Sequence, residues 1–288
     1  MPNSASSTST KTVLITGCSS GIGHTVALGL QQRGYRVVAT ARKNQDVQRL
    51  RSQGLECLQL DLNDSMSIRT AVKKLYQLTN GEIYALFNNG AYGQPGAVED
   101  LKRDVLRAQF ETNVFGWLEL TNLIIPMMRQ QGYGRIIQNS SVLGFVALAY
   151  RGAYVASKFA LEGLTDTLRM ELRGSGIHVI LVEPGPIESR FRANAYLAFK
   201  KNINAQTSAH LAQYEAQEAR MTKEGAATPF TLPADAVLRK VIRALESPRP
   251  KIRYYVTFPT YLFAILMRFL SHRAMEKIML KVSGNGKG

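Results

Sequence analysis

The sequence predicts an α/β protein built on one doubly wound parallel sheet of about seven strands, with helices on both faces and a helical lid after the sixth strand. Three observations lead to this reading. Short apolar runs alternate with amphipathic stretches from residue 12 onward, as in successive βαβ units. The runs are almost continuously apolar, which fits strands covered on both faces rather than one. The first run passes directly into a glycine-rich turn and then a helix.

The elements follow in order. Residues 12–16 (TVLIT) form the first strand, and a helix runs from the glycine turn to about Arg33. Residues 36–40, 56–60 and 83–87 are the second, third and fourth strands; 135–139 and 178–182 are the fifth and sixth. After Pro186 the pattern changes. Residues 187–232 are polar, helix-prone and without a strand, and an insertion of this length beside a strand's carboxyl end is expected to be a lid or substrate-binding segment. A helix at 233–246 and a strand at 253–257 complete the sheet, so 11–258 reads as one catalytic domain. Residues 1–10 (MPNSASSTST) lack the apolar core of a signal peptide and read as a disordered lead-in. In the tail, 259–288, a single amphipathic helix is expected over 261–282. Phe263, Met267, Leu270, Ala274, Ile278 and Val282 would form its apolar stripe, with Arg268, His272, Arg273, Glu276 and Lys277 off it. Such a helix lies on an anionic membrane surface, caps the pocket or packs against a second subunit.

Composition narrows the function. With 45% hydrophobic and 20% charged residues the chain is globular. Cys18 and Cys57 are too few for a disulfide framework and have no metal-ligand spacing, so a reduced, cytoplasmic setting without a metal is expected. No run approaches the roughly 18 apolar residues that span a bilayer. Thirty-six basic against twenty-one acidic residues leave a charge of +15, which attracts anionic partners. A phosphorylated cofactor, an anionic acyl substrate or a lipid surface would serve. Nucleic acid is not expected, because zinc-finger, basic-zipper and aromatic RNA-binding signatures are absent.

The glycine turn is Thr16-Gly17-Cys18-Ser19-Ser20-Gly21-Ile22-Gly23. Its glycines permit a tight turn and close backbone approach, and the following helix offers free amides and a partial positive charge to a pyrophosphate. In this spacing the chain resembles the short-chain dehydrogenase/reductase family, whose TGxxxGIG fingerprint it meets residue for residue. The resemblance runs from about residue 11 to 189 and implies a Rossmann-type fold that binds a nicotinamide dinucleotide. An NAD enzyme places a carboxylate after the second strand to grip the ribose hydroxyls. Here the residues are Thr40-Ala41-Arg42-Lys43, and Arg42, helped by Ser19 and Ser20, suits a 2′-phosphate; NADP(H) is the expected cofactor. By the same resemblance Asp61 and Leu62 contact the adenine. Asn88-Asn89-Gly90-Ala91 stands for the family's NNAG with its last two residues exchanged. Pro184, Gly185, Ile187 and Ser189 stand for the element at the nicotinamide, with serine replacing threonine.

The chemistry resides in Tyr154-Val-Ala-Ser-Lys158. Residues four apart on a helix share a face, so phenol and ammonium point into one pocket. Free tyrosine titrates near pH 10, and the neighbouring ammonium and the oxidised nicotinamide are expected to lower that value. Ser141 lies thirteen positions before the tyrosine and Asn113 sits in Thr-Asn-Val-Phe-Gly. Together these four match the family's tetrad. The resemblance implies that Ser141 and Tyr154 bind the carbonyl oxygen and Tyr154 gives up its proton. Lys158 tunes the phenol and holds the ribose; Asn113 maintains a water relay from a helix bend.

Thr-Gly-Cys-Ser-Ser-Gly-Ile-Gly and Tyr-x-x-Ser-Lys-Phe-Ala-Leu-Glu-Gly resemble most the hydroxysteroid and retinol dehydrogenases and bacterial aldehyde reductases. That implies a lipophilic aldehyde, ketone or alcohol, for which Phe145, Val146, Ala147, Leu148 and Tyr150 offer apolar lining. Two alternatives are an acyl-thioester ketoreductase and a non-catalytic NADP(H) sensor. The resemblance also implies a homodimer or homotetramer, and the membrane alternative for the tail would add peripheral contact with the inner membrane face.

Overall fold

The computed structural model describes residues 10–223, 225 and 228–284. The lead-in expected over 1–10 therefore lies, except for Thr10, outside the described residues. Seven strands form one parallel sheet: β1 (Thr12–Ile15), β2 (Arg36–Ala41), β3 (Glu56–Gln59), β4 (Ala85–Asn88), β5 (Gly134–Asn139), β6 (Ile177–Glu183) and β7 (Arg253–Tyr255). Their order is β3-β2-β1-β4-β5-β6-β7. The chain runs outward from β1 to β3, then crosses back to β4 and runs outward the other way. The reversal opens a crevice beyond the carboxyl ends of β1 and β4, where such sheets bind ligands.

Both faces of the sheet are covered, as the apolar strands require. Successive strand residues point to opposite sides. Val13, Ile15, Phe87 and Ile137 enter one core, with α1 (Gly21–Gln32), α2 (Asn44–Ser52) and α9 (Asp235–Glu246) above them. Leu14, Leu86 and Ile136 enter the other, under α3 (Ser65–Thr79), α5 (Gly116–Gln131) and α6 (Gly152–Glu171). Between α4 (Arg103–Phe110) and α5 the helix passes through a π-helical turn, Glu111–Phe115, which is the bend expected at Asn113. A π turn inserts one extra residue into the helical ladder, and this is common at functional sites.

Residues 187–232 contain α7 (Phe191–Asn202) and α8 (Leu211–Thr222) and no strand among the described residues. The two ends of the segment meet: Glu188 N donates to Leu232 O (2.9 Å) and Leu232 N to Pro186 O (3.2 Å). Its interior packs through Phe199, Tyr214 and Met221 against Ala97.

The single helix expected over 261–282 is corrected to two, α10 (Phe258–Phe269) and α11 (His272–Val282). Leu270 and Ser271 adopt extended backbone, and the Ser271 hydroxyl accepts from Ala274 N. Serine competes for backbone hydrogen bonds and favours a helix start over a helix interior, so the pattern breaks there. The break folds α11 back, and Phe263, Leu270, Met275 and Ile278 pack on Val142 and Val146 beside the crevice.

Candidate functional site

The crevice contains a cavity of about 1030 Å³. Its lining includes the glycine turn. Gly17 holds φ +69°, and a Cβ on it would stand 2.6 Å from Gly90 Cα; a Cβ on Gly23 would stand 2.3 Å from Gly17 O. No side chain fits at either position. Thr16 locks the turn to its neighbours: its hydroxyl accepts from Asn89 N (2.8 Å) and Gly90 N (2.9 Å). Asn89 Nδ2 donates back to Thr16 O (3.1 Å), and Asn139 Nδ2 donates to Asn89 Oδ1 (2.9 Å). The carboxyl ends of β1, β4 and β5 thus form one hydrogen-bonded frame.

Helix α1 begins at this frame. Its N-cap residue, Ser20, makes no side-chain capping bond, and its first turn carries no acidic residue. The amino-terminal charge of the helix is therefore uncompensated, and Ser20, Gly21 and Ile22 line the cavity. This cradle fits a dinucleotide pyrophosphate.

The remaining predicted positions divide. Ser19, Asn89, Gly90, Pro184, Gly185, Ile187 and Ser189 line the same cavity. Asn88 does not; it is buried and donates to Thr121 Oγ1 (2.9 Å) beneath the sheet. Leu62 is buried under Gly90 and Gly116, and Asp61 accepts from Asn63 N. Arg42 is exposed just past β2, whose Thr40 O accepts from Cys18 N in the turn (2.8 Å). Exchanging glycine and alanine at 90–91 alters little, since neither residue occupies left-handed backbone.

Ser141, Tyr154 and Lys158 line this same cavity. Ser141 follows β5 and its hydroxyl accepts from Leu143 N (3.1 Å). Tyr154 and Lys158 share one face of α6, and the Lys158 ammonium lies 5.7 Å from the Tyr154 ring centroid. That ammonium donates to Asn139 O (2.7 Å) and sits 4.4 Å over the buried Trp117 ring. Asn113 does not line the cavity. Its side chain accepts from Tyr92 N (3.3 Å) and donates to Tyr92 O (3.0 Å) and Ser157 Oγ (3.1 Å), and Ser157 in turn donates to Tyr154 O (2.8 Å). The asparagine thereby ties the π turn to the helix that carries the tyrosine.

One expectation is reversed in the protein alone. Burial pushes the Tyr154 phenol up to about 12, with the Ser141 hydroxyl pulling it down. Burial pulls the Lys158 ammonium down to about 7, opposed by the Glu162 carboxylate. Desolvation penalises each charged form more than the two groups help each other.

Several functional neighbours escape a linear reading. Phe191, the first residue of α7, packs edge-on to Tyr154 with ring centroids 5.2 Å apart. Of the apolar residues expected nearby, Val146 and Leu148 line the cavity, whereas Tyr150 turns to His210 and Tyr214. Phe263, Met279 and Val282 add lining from α10 and α11. Arg151 and Arg220 also line the cavity; Arg151 donates to Gln217 Oε1 (2.8 Å). Behind the site, Glu162 lies one turn after Lys158, and Glu183 closes β6 just before Pro184-Gly185. The Arg253 guanidinium donates to both carboxylates and to Asp166 (2.6 Å). Burial raises Glu162 and pushes Glu183 up to about 8, the neighbouring Glu162 charge adding to it and Arg253 opposing it. Regular spacing could have flagged Glu162; nothing in the sequence links it to Glu183 and Arg253.

The sequence profile of the family described as short chain dehydrogenase matches residues 11–198. The chain belongs to this family. The short-chain dehydrogenase is 42% identical over 269 residues to the uncharacterized oxidoreductase YbbO of Escherichia coli (strain K12), covering 93% of this chain and 94% of that protein. It is 33% identical over 261 residues to human 17-beta-hydroxysteroid dehydrogenase type 1, covering 85% and 77%. A short-chain dehydrogenase structure from Streptomyces avermitilis superposes with TM-score 0.75 at 25% identity, over 98% of this chain and 100% of that one. As a member, this dehydrogenase is an oxidoreductase of an NAD(P)-binding family.

Proposed function

We propose that the enzyme is an NADP(H)-dependent oxidoreductase for lipophilic aldehydes, ketones or alcohols, with Tyr154 as its acid and base. The observation that carries this reading is the convergence of Ser141, Tyr154 and Lys158 with the uncapped end of α1 on one cavity. The rest of its lining is largely apolar, including Val142, Leu143, Val146, Phe191 and Phe263. The human relative's name, a hydroxysteroid dehydrogenase, supports a lipophilic substrate.

In this reading Gly17, Ser19, Ser20, Gly21 and Ile22 hold the pyrophosphate, while Gly23 permits the turn. Asp61 and Leu62 flank the adenine, Asn88, Asn89 and Gly90 support the crevice floor, and Pro184, Gly185, Ile187 and Ser189 hold the nicotinamide end. A nicotinamide dinucleotide held by these residues would supply hydride-transfer chemistry at a carbonyl or alcohol carbon. Ser141 and Tyr154 hold the substrate oxygen, and Tyr154 transfers its proton there. Lys158, fixed by Asn139 O, holds the ribose and favours the phenolate through its charge; Asn113 keeps α6 in place through Ser157. Residues 187–232 form the lid.

Arg42 supports NADP(H) over NAD(H), since no carboxylate stands at the end of β2 to grip ribose hydroxyls. Arg42→Ala is expected to raise the KM for NADPH by about 10- to 100-fold, the loss of bonds to a charged group. NADH should be used as before. Initial rates with both cofactors at a fixed aldehyde concentration check this, and an equal loss with both would remove the NADP(H) assignment.

Arg151 and Arg220 favour a second reading, an acyl-thioester substrate whose anionic carrier arm they would receive. NADPH oxidation across aldehydes, ketosteroids, retinal and acyl thioesters decides between the two. The buried free thiols of Cys18 and Cys57 support a reducing cytoplasmic setting. Exposed Leu118 on α5 and Phe159 and Leu164 on α6 support a homodimer or homotetramer.

A further inference from the structure

We propose that α10 docks the protein on the surface of an anionic lipid bilayer, at the mouth of the cavity. The helix is apolar on two sides. Phe263 and Thr260 are buried against the protein, and the opposite side carries Phe258, Leu262, Ile265 and Phe269. Their spacing of four, three and four places them in one stripe. They are 58, 38, 56 and 81% exposed. Phe230 extends the stripe: its ring lies 5.1 Å from that of Phe258, it is 59% exposed, and it holds a left-handed backbone (φ 61°) uncommon for a bulky residue. Folding gains nothing from leaving these side chains in water, and contiguous apolar surface of this kind marks a docking site.

Charge identifies the occupant. Tyr261 and Arg268 follow one edge of the stripe, and Lys240 Nζ donates to Tyr261 OH (3.0 Å). Residues 258–284 contain Arg268, Arg273, Lys277 and Lys281 against a single acid, Glu276. A second copy would bring the same cations to the same edge, on a chain whose net charge is already +15. Anionic headgroups complement it instead. A 12-residue helix is about 18 Å long, too short to span a bilayer and suited to lie in its interface. No helix among the described residues is long and apolar enough to cross a membrane.

Phe230, Phe258 and Leu262 belong both to the exposed stripe and to the cavity lining. The docked face therefore borders the opening, and a lipophilic substrate would pass from lipid to Tyr154 without crossing water. That consequence rests on the function proposed above; the docking does not.

The test is co-sedimentation of the full-length chain with phosphatidylcholine vesicles, with and without phosphatidylglycerol, comparing wild type with Ile265→Glu/Phe269→Glu. Neither residue lines the cavity, so the thermal unfolding midpoint and reduction of a short soluble aldehyde should match wild type. The expected result is pelleting with phosphatidylglycerol vesicles that falls in high salt and drops about tenfold or more in the variant. Equal pelleting of both proteins, or none of either, would overturn the docking. So would a dimer in size-exclusion chromatography that the same variant dissociates, since the stripe would then join two copies. Absence of aldehyde reduction in both proteins, with vesicle binding intact, would instead count against the oxidoreductase reading alone.

Discussion

Tyr154→Phe is expected to lower kcat/KM for carbonyl reduction by about 100- to 10,000-fold, the range lost when a positioned acid–base group is removed. Phenylalanine keeps the ring, its edge-on contact with Phe191 and the volume of the site. The loss is confined to one hydroxyl, beside Ser141 and on the same helix face as Lys158. Cofactor affinity should be unchanged, because the cradle formed by Gly17, Ser20 and Gly21 is untouched. Steady-state rates and a fluorescence titration with NADPH separate the two effects. Undiminished turnover in the variant would remove Tyr154 from the mechanism. A combined loss of turnover and NADPH binding would point to a packing defect.

Arg253→Met is expected to destabilise the fold by about 3–5 kcal/mol, the usual cost of removing one partner from a buried ionic group. Glu183 is fully buried and Glu162 nearly so, and Arg253 is the cation that serves both. Without it, both carboxyl groups must be protonated or stay charged in a dry interior. The sign of the pH dependence follows. The folded-state value of Glu183, about 8, lies above its ordinary 4.5, so the folded chain binds the proton more tightly. Its contribution is present below about 4.5 and is lost as pH rises through 8. Wild type and variant therefore lose this contribution in parallel from pH 5 to 8. Removing Arg253, which holds the Glu183 value down, raises it further, so the variant's deficit should grow as pH rises through 8, between about pH 7 and 9. Adding Glu183→Gln should recover part of it and flatten the curve. Guanidinium unfolding across that window checks this; an unchanged midpoint at every pH would show that the cluster does not support the fold.

Both variants act on the two ends of the same short path. Glu162 follows Lys158 by one turn of α6, and Glu183 leads directly into the Pro184-Gly185 loop at the cavity wall. The ionic cluster, whose residues do not line the cavity, therefore braces the helix and the loop that carry the site.

What the sequence determined by itself was local. The strands are legible because a strand buried on both faces needs an unbroken apolar run. The glycine turn is legible because Gly17 and Gly23 leave no room for a Cβ, and Tyr154 and Lys158 are legible because helical geometry alone places residues four apart on one face. Only the tertiary structure decided which distant groups meet. Thr16 joins Asn89 and Gly90, Glu162 and Glu183 share Arg253, and Phe191 packs edge-on to Tyr154; these contacts depend on strand order and on how residues 187–232 return to the sheet. It also decided that the tail is two helices and that α10 turns one apolar side inward and one outward. Burial, too, belongs to the assembled fold, and desolvation is why the Tyr154 phenol and the Lys158 ammonium move toward their neutral forms in the protein alone.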